Sequence, residues 1–465
     1  MCRRGGSLRG ILCCAVLVAS AGAALAEDEV APNAAVPADE GFTSSLAKLS
    51  ELENMLGNGG AEEPGTGILA GYDGEHGFFL RDKTKSFELQ LHGRLQARYT
   101  YKGRDERGDT VDPGEVGGLD ESYFEIERAR LWFMGHVLNE DLKYMLMIDG
   151  DSDGGGGVDI LDAYVLYDMG RNFGADSEIL SVGVGQFKPY FLRQEKTSTG
   201  KLQMVDRSLT NEFFNIDRVI GAWIQGDLHP IFYSFAVANG FDSINTSVDG
   251  VDQIPAFIAK LDFNILGHSA GKYEEGNVKC DPEKPVFIVG LSAASDQNNG
   301  TSSDERERFK CFEFGIDSVL KYSIFSLQAE YIGRWLDYRL GSTASDGDGG
   351  WNYAHGLYVQ GGIFLVPSVL EVTGRVSTIW ADGPRHGNGV EAGPGINWYI
   401  SKNHKVKLQT DLMFFDISAN LPNPTESLDF APAVAGDPLP FESTAAGYES
   451  GEQGVMWRTQ IQLEF

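Results

Sequence analysis

The sequence predicts an all-β fold, a 16-stranded antiparallel transmembrane β-barrel with a short N-terminal helix. Three observations carry that prediction. In residues 86–101, Phe87, Leu89, Leu91, Gly93, Leu95, Ala97, Tyr99 and Tyr101 alternate with Glu88, Gln90, His92, Arg94, Gln96, Arg98 and Thr100. That two-residue period outlasts the roughly five or six residues of an ordinary soluble strand. It fits a strand with one face to lipid and the other to a wet lumen, where roughly ten tilted residues cross the bilayer. Second, residues 1–26 read as a secretory signal, with Arg3, Arg4 and Arg9, an apolar run over 11–24 and Ala24-Leu25-Ala26 as cleavage site. No later run approaches the eighteen apolar residues of a membrane helix. Third, the connections between strand-like segments alternate between short and long, the asymmetry of bacterial outer-membrane barrels.

Taken in order, residues 27–71 are a spacer, Ala-, Pro- and acid-rich at first and Gly-rich at the end. Within it, residues 42–56 have helical spacing, with Leu49, Leu52 and Leu56 on one stripe and Gly57 as a stop. That stripe serves either a helix packed on the barrel base or an oligomer seam. The barrel is assigned to 72–465. Its strands are expected from Phe87 onward and at 123–137, 142–149, 159–168, 179–187, 218–225, 231–238 and 257–264. The remaining eight are 286–294, 309–320, 325–335, 357–365, 369–377, 395–400, 405–414 and 455–465. Long outer loops include 102–122, 150–158, 188–217, 239–256 and 416–454, and short inner links include 138–141, 226–230, 366–368 and 401–404. The links 169–178 and 265–285 are too long for ordinary inner turns. In the last segment Val455, Trp457, Thr459, Ile461, Leu463 and Phe465 alternate with polar residues, a strand expected to pair with the first and shut the ring.

The charge balance is 38 Lys+Arg against 67 Asp+Glu, a formal net charge of −29. Losing the three signal arginines makes the mature chain more acidic still, which argues against a nucleic-acid partner. The residues present no H-E-x-x-H, G-x-S-x-G or phosphate-binding Gly loop. Alternation turns Arg94 and Arg98 inward on the first strand, and Arg128 and Arg130 inward on the second. Four guanidiniums on one wall make an anion track, since the planar fork matches phosphate and carboxylate oxygens. They serve equally to pair with Glu88, Glu125, Glu127 or loop carboxylates and hold a loop in place. Asp149, Asp151 and Asp153 begin like a calcium loop. Ile160 stands where its closing Glu belongs, so a surface Ca²⁺ site and a solvated acidic turn both remain open. No other cofactor is implied. Cys280 and Cys311 are expected as free thiols, because the topology puts them toward opposite ends of the barrel.

The blocks FEIERARLWFMGHV, LDAYVLY, VGVGQFKPYFLRQE, NEFFNIDRVIGAWIQG, GLYVQGGIFLVPSVLEVTGRVS and TQIQLEF, in consistent order, resemble the phosphate-selective porin O/P family. The resemblance implies an outer-membrane barrel, usually a homotrimer in outer-membrane lipid, whose third outer loop folds inward as a constriction. It implies passive diffusion of small anions such as phosphate or polyphosphate, and no enzyme. Residues 187–201, FKPYFLRQEKTSTGK, look like the entry to that loop, with Lys188, Arg193, Lys196 and Lys201 as its cations. Glu127 stands where the family tends to show another arginine, and no dense lysine run appears in other loops. A weakly selective diffusion pore, or a plugged structural or adhesive barrel with acidic surface loops, therefore stays as an alternative.

Overall fold

A computed structural model describes residues 67–74, 77–106, 120–150, 157–175, 178–241, 251–267, 273–301, 308–339, 351–382, 387–418 and 452–465. The expected signal, the spacer's first forty residues and the 42–56 helix lie outside them. So do most of the long outer loops.

Two short strands open the described chain, β1 (Ile68–Asp73) and β2 (Gly77–Asp82). Sixteen barrel strands follow: β3 (Phe87–Glu106), β4 (Glu121–Val137), β5 (Leu142–Asp149), β6 (Asp159–Asp168), β7 (Ser181–Phe187), β8 (Val219–Leu228), β9 (Ile231–Ala238) and β10 (Val251–Leu266). The ring continues through β11 (Val286–Thr301), β12 (Arg308–Tyr322), β13 (Phe325–Arg339), β14 (Trp351–Val366), β15 (Leu370–Asp382), β16 (Gly387–Tyr399), β17 (Val406–Ile417) and β18 (Glu452–Glu464). Every neighbouring pair is antiparallel, and β18 pairs with β3 to close the sheet. All sixteen expected strands are present in order, most of them longer at the outer end than the apolar pattern alone suggested.

The seam shows why closure works. β18 runs along β3 from Glu452↔Glu106 to Glu464↔Arg94. This stagger leaves the inner end of β3 unpaired, and an open strand edge in hydrocarbon is costly. The β1–β2 hairpin covers it, pairing Phe78–Arg81 with Leu91–Glu88. The hairpin begins inside the stretch expected as spacer, because a Gly-rich approach hides so short a strand. Phe465 exchanges backbone hydrogen bonds with Gly93 at 3.0 and 3.2 Å. A Cβ on Gly93 would come within 2.2 Å of the Phe465 ring, so only glycine lets that ring lie flat on the wall.

Alternation sets the two faces. Along β3 the even positions Arg94, Gln96, Arg98, Thr100 and Lys102 are buried inward, while Leu95 is 45% exposed to the outside. Across the seam Ile461 and Leu463 are likewise half exposed. One register slip matters. The ladder skips Glu127, with Gln96 facing Arg128 and Ala97 facing Ile126. Such a bulge puts two consecutive side chains on one face, and Glu127 and Arg128 are both buried inside.

The lumen is far from empty. The segment between β7 and β8 turns inward and carries two short helices, α1 (Arg193–Lys196) and α2 (Leu209–Phe214), the latter capped by Ser208 Oγ accepting from Asn211 N–H. Phe191, Leu192, Leu209, Phe213, Phe214 and Ile216 form an apolar cluster with inward wall residues such as Ile258, Ile332, Ile379 and Ile417. On that side the barrel has a packed interior in place of a channel.

Candidate functional site

The third outer loop, residues 188–218, is anchored in the lumen by wall side chains at nearly every step. Lys260 Nζ donates to Phe191 O at 3.1 Å, and Lys407 Nζ to Leu202 O at 2.8 Å. Arg375 donates to the carbonyls of Asp206 and Arg207 at 2.7 and 2.9 Å. The loop's own amides are taken by buried wall carboxylates: Arg193 N–H by Glu330, Val205 N–H by Asp411 and Leu209 N–H by Glu391. A loop inside a barrel must satisfy its backbone this way, since each unpaired buried group costs roughly 1–3 kcal/mol.

The four wall arginines are brought together beside this loop. Arg94 pairs with Glu464 at 2.7 Å and donates to Ser198 Oγ and Thr199 Oγ1 at 2.8 and 2.9 Å. Arg130 pairs with Asp149 at 2.5 Å and reaches Thr199 at 3.2 Å. Arg98 bridges Glu127 and Asp206, and Arg128 contacts the same two carboxylates. All four guanidiniums are thus neutralised by acids, and each also holds the loop. Asp149, expected as a possible calcium ligand, turns inward to Arg130. Asp151 and Asp153 lie outside the described residues.

The loop cations divide. Lys188 is bonded to Glu195, which also pairs with Arg207 at 3.0 Å. Arg193 is bonded to Asp317, lies 3.1 Å from Asp262, and stacks over Tyr273 at 4.5 Å. Lys196 differs. Its Nζ donates to Lys188 O at 2.6 Å and sits 3.9 Å over the Tyr190 ring, with no ion pair among the described residues. Lys201, too, has no ion pair among them.

Two cavities flank α1. One, about 240 Å³, lies against β3–β8 and is lined by Arg94, Arg130, Lys188, Lys196, Arg207 and Arg218, with Asp162 as its only lining acid among the described residues. The other, about 940 Å³, lies toward the inner end, where Lys196, Lys201, Lys279, Lys284 and Lys321 line it beside Glu274, Asp281 and Glu283. Lys196, Thr197 and Ser198 line both, and so form the ledge between them.

The sequence profile described as Phosphate-selective porin O and P matches residues 100–413. The chain belongs to this family. The porin's solved neighbours agree in fold. The anion-selective porin from Comamonas acidovorans is 13% identical, with a TM-score of 0.54 over 81% of this chain and 99% of that one. The outer membrane channel DcaP of Acinetobacter baumannii is 14% identical, with a TM-score of 0.52 over 85% of this chain and 100% of that one. No curated protein matches the chain. Family and architecture place the porin in the bacterial outer membrane.

Three features of the porin's lumen escaped the sequence reading. Arg207 and Arg218 lie past the block that looks like the loop's entry, and only a count over the whole loop would have found them. Asp206, which joins Arg98 to Arg128, looks like one more loop acid. The inward bulge at Glu127 has no one-dimensional signature, because strict alternation sends residue 127 outward.

Proposed function

We propose that this porin passes small anions, phosphate among them, by way of the two cavities and across the Lys196–Ser198 ledge. The observation that carries the reading is Lys196, an ammonium at the junction of both cavities with no ion pair among the described residues. A passing oxyanion would find there an ammonium outside any ion pair of the described residues, beside the Ser198 hydroxyl; the Thr197 hydroxyl already donates to Arg193 O at 2.9 Å. Paired arginines around it add donors and hold the ledge rigid. Selection by fixed charge at a narrow place requires no catalytic group.

Planar-bilayer recording of reversal potential in a KCl gradient, then with phosphate as competing anion, tests the reading. Anion preference with phosphate block is the expected result; cation preference would refute it. The apolar cluster between the loop and the wall favours a second reading, a largely plugged structural barrel, which would show negligible conductance. The proposed functional unit is a trimer of such barrels, and chemical cross-linking in outer membranes should trap a three-chain species.

A further inference from the structure

The inner link between β10 and β11, too long for a simple turn, does not stay at the rim. Its residues 273–278 reach into the barrel and meet the third loop from the inner side. Tyr273 Oη donates to Asp262 at 2.7 Å, and Lys321 Nζ holds Glu274 O at 2.8 Å. Glu275 is 2% exposed and lies at the centre of the contact. Its carboxylate accepts from Gln194 Nε2 at 2.9 Å, Gln203 N–H at 2.7 Å and Gln360 Nε2 at 2.7 Å. Its own N–H donates to Lys201 O at 3.0 Å. Gly276 follows with φ of +68°, a left-handed residue that turns the chain back out after the contact.

We propose that Glu275 is a positioning residue for selectivity: from the inner side it clamps both limbs of the constriction, so that the intervening Lys196 and Lys201 face the passage. Gln194 and Gln203 bracket those two lysines, and Glu275 joins them to each other and to the wall through Gln360. These donors, and Gln328 Nε2 at 3.4 Å, are all neutral amides, so the negative charge strengthens each bond while drawing no cation out of the passage. Release of this clamp frees the loop's inner limb without touching the sixteen-strand ladder. The proposal rests on the reading of Lys196 as the selecting charge.

Single-channel recording of the full chain in planar bilayers tests it. E275A should raise open-channel noise, increase conductance by about twofold or more through a looser constriction, and move the reversal potential toward the unselective value. E275Q keeps the volume but turns an amide against N–H donors, and should move the same readouts in the same direction by less. Folding is checked by the heat-dependent shift of barrel mobility in gels. Should E275A fail to fold, E275Q decides. Folded E275A or E275Q channels with wild-type noise, conductance and selectivity would overturn the clamp, because a purely structural role lowers yield and leaves inserted channels unchanged. The K196Q/K201Q double variant separates the two ideas. If it leaves the reversal potential unmoved, the selecting-charge reading fails, while altered noise and conductance in E275A still establish the clamp.

Discussion

At the scale of single residues, what distinguishes the lumen is which cations are already spoken for. Lys188 and Lys196 lie eight residues apart on one loop, yet only Lys188 is bonded to a carboxylate. K196Q should therefore shift the reversal potential toward cations more than K188Q does, and K196Q with K201Q more than either alone, measured in the same salt gradient. Asp206 is a different case. It lies between Arg98 and Arg128, all three buried. D206A strands two buried guanidiniums on Glu127 alone, and breaking such a pair costs on the order of 3–5 kcal/mol. The expected outcome is a lower unfolding temperature in the gel-mobility assay, together with a loosened loop.

At the scale of elements, the hairpin β1–β2 and the turns deserve separate predictions. The hairpin covers the part of β3 that β18's stagger leaves open, so G93V, which drives a branched side chain into the Phe465 ring, should loosen the seam there. A barrel that loses its heat-dependent mobility shift at lower temperature than wild type is the expected result. On the inner rim, Glu140 in the β4–β5 turn pairs with Lys85 and Arg171 at 2.9 and 3.0 Å. Hydrogen bonds from Lys85 and then Arg171 hold its carboxyl down at about 2. A depressed carboxylate contributes stability above its unfolded pKa of roughly 4.3, and loses it as pH falls toward the folded value. E140Q should thus be slightly less stable than wild type at neutral pH, by less than about 1 kcal/mol for so exposed a pair. That difference should fade between about pH 4 and pH 2, as thermal melts at each pH would show.

At the scale of the whole molecule, the lumen is asymmetric. Apolar side chains of α2 and its flanks pack against wall residues from β7 round to β18, while the cavities with their cations lie on either side of α1. F213A/F214A removes the packed heart of this filling and should widen the pore: conductance rises, while the reversal potential changes little because Lys196 stays where it is. A variant that lost selectivity with unchanged conductance would speak against that division of labour. Cys280 and Cys311 are free thiols, in keeping with their expected places on different levels of the barrel.

Strand number, order and facing were legible in the linear sequence because a two-residue period survives wherever one face meets lipid and the other water. The same period put Arg94, Arg98, Arg128 and Arg130 inside. What alternation cannot express is anything that breaks it or comes from far along the chain. The bulge at Glu127, the pairing of Asp206 with wall arginines, the inward reach of residues 273–278 and the lack of an ion pair at Lys196 among the described residues depend on which distant groups meet in the lumen. A cation's partner is set by three-dimensional proximity, and only the closed ring, with its loop packed inside, decided that Lys188 meets a carboxylate while Lys196 and Lys201 have no ion pair among the described residues.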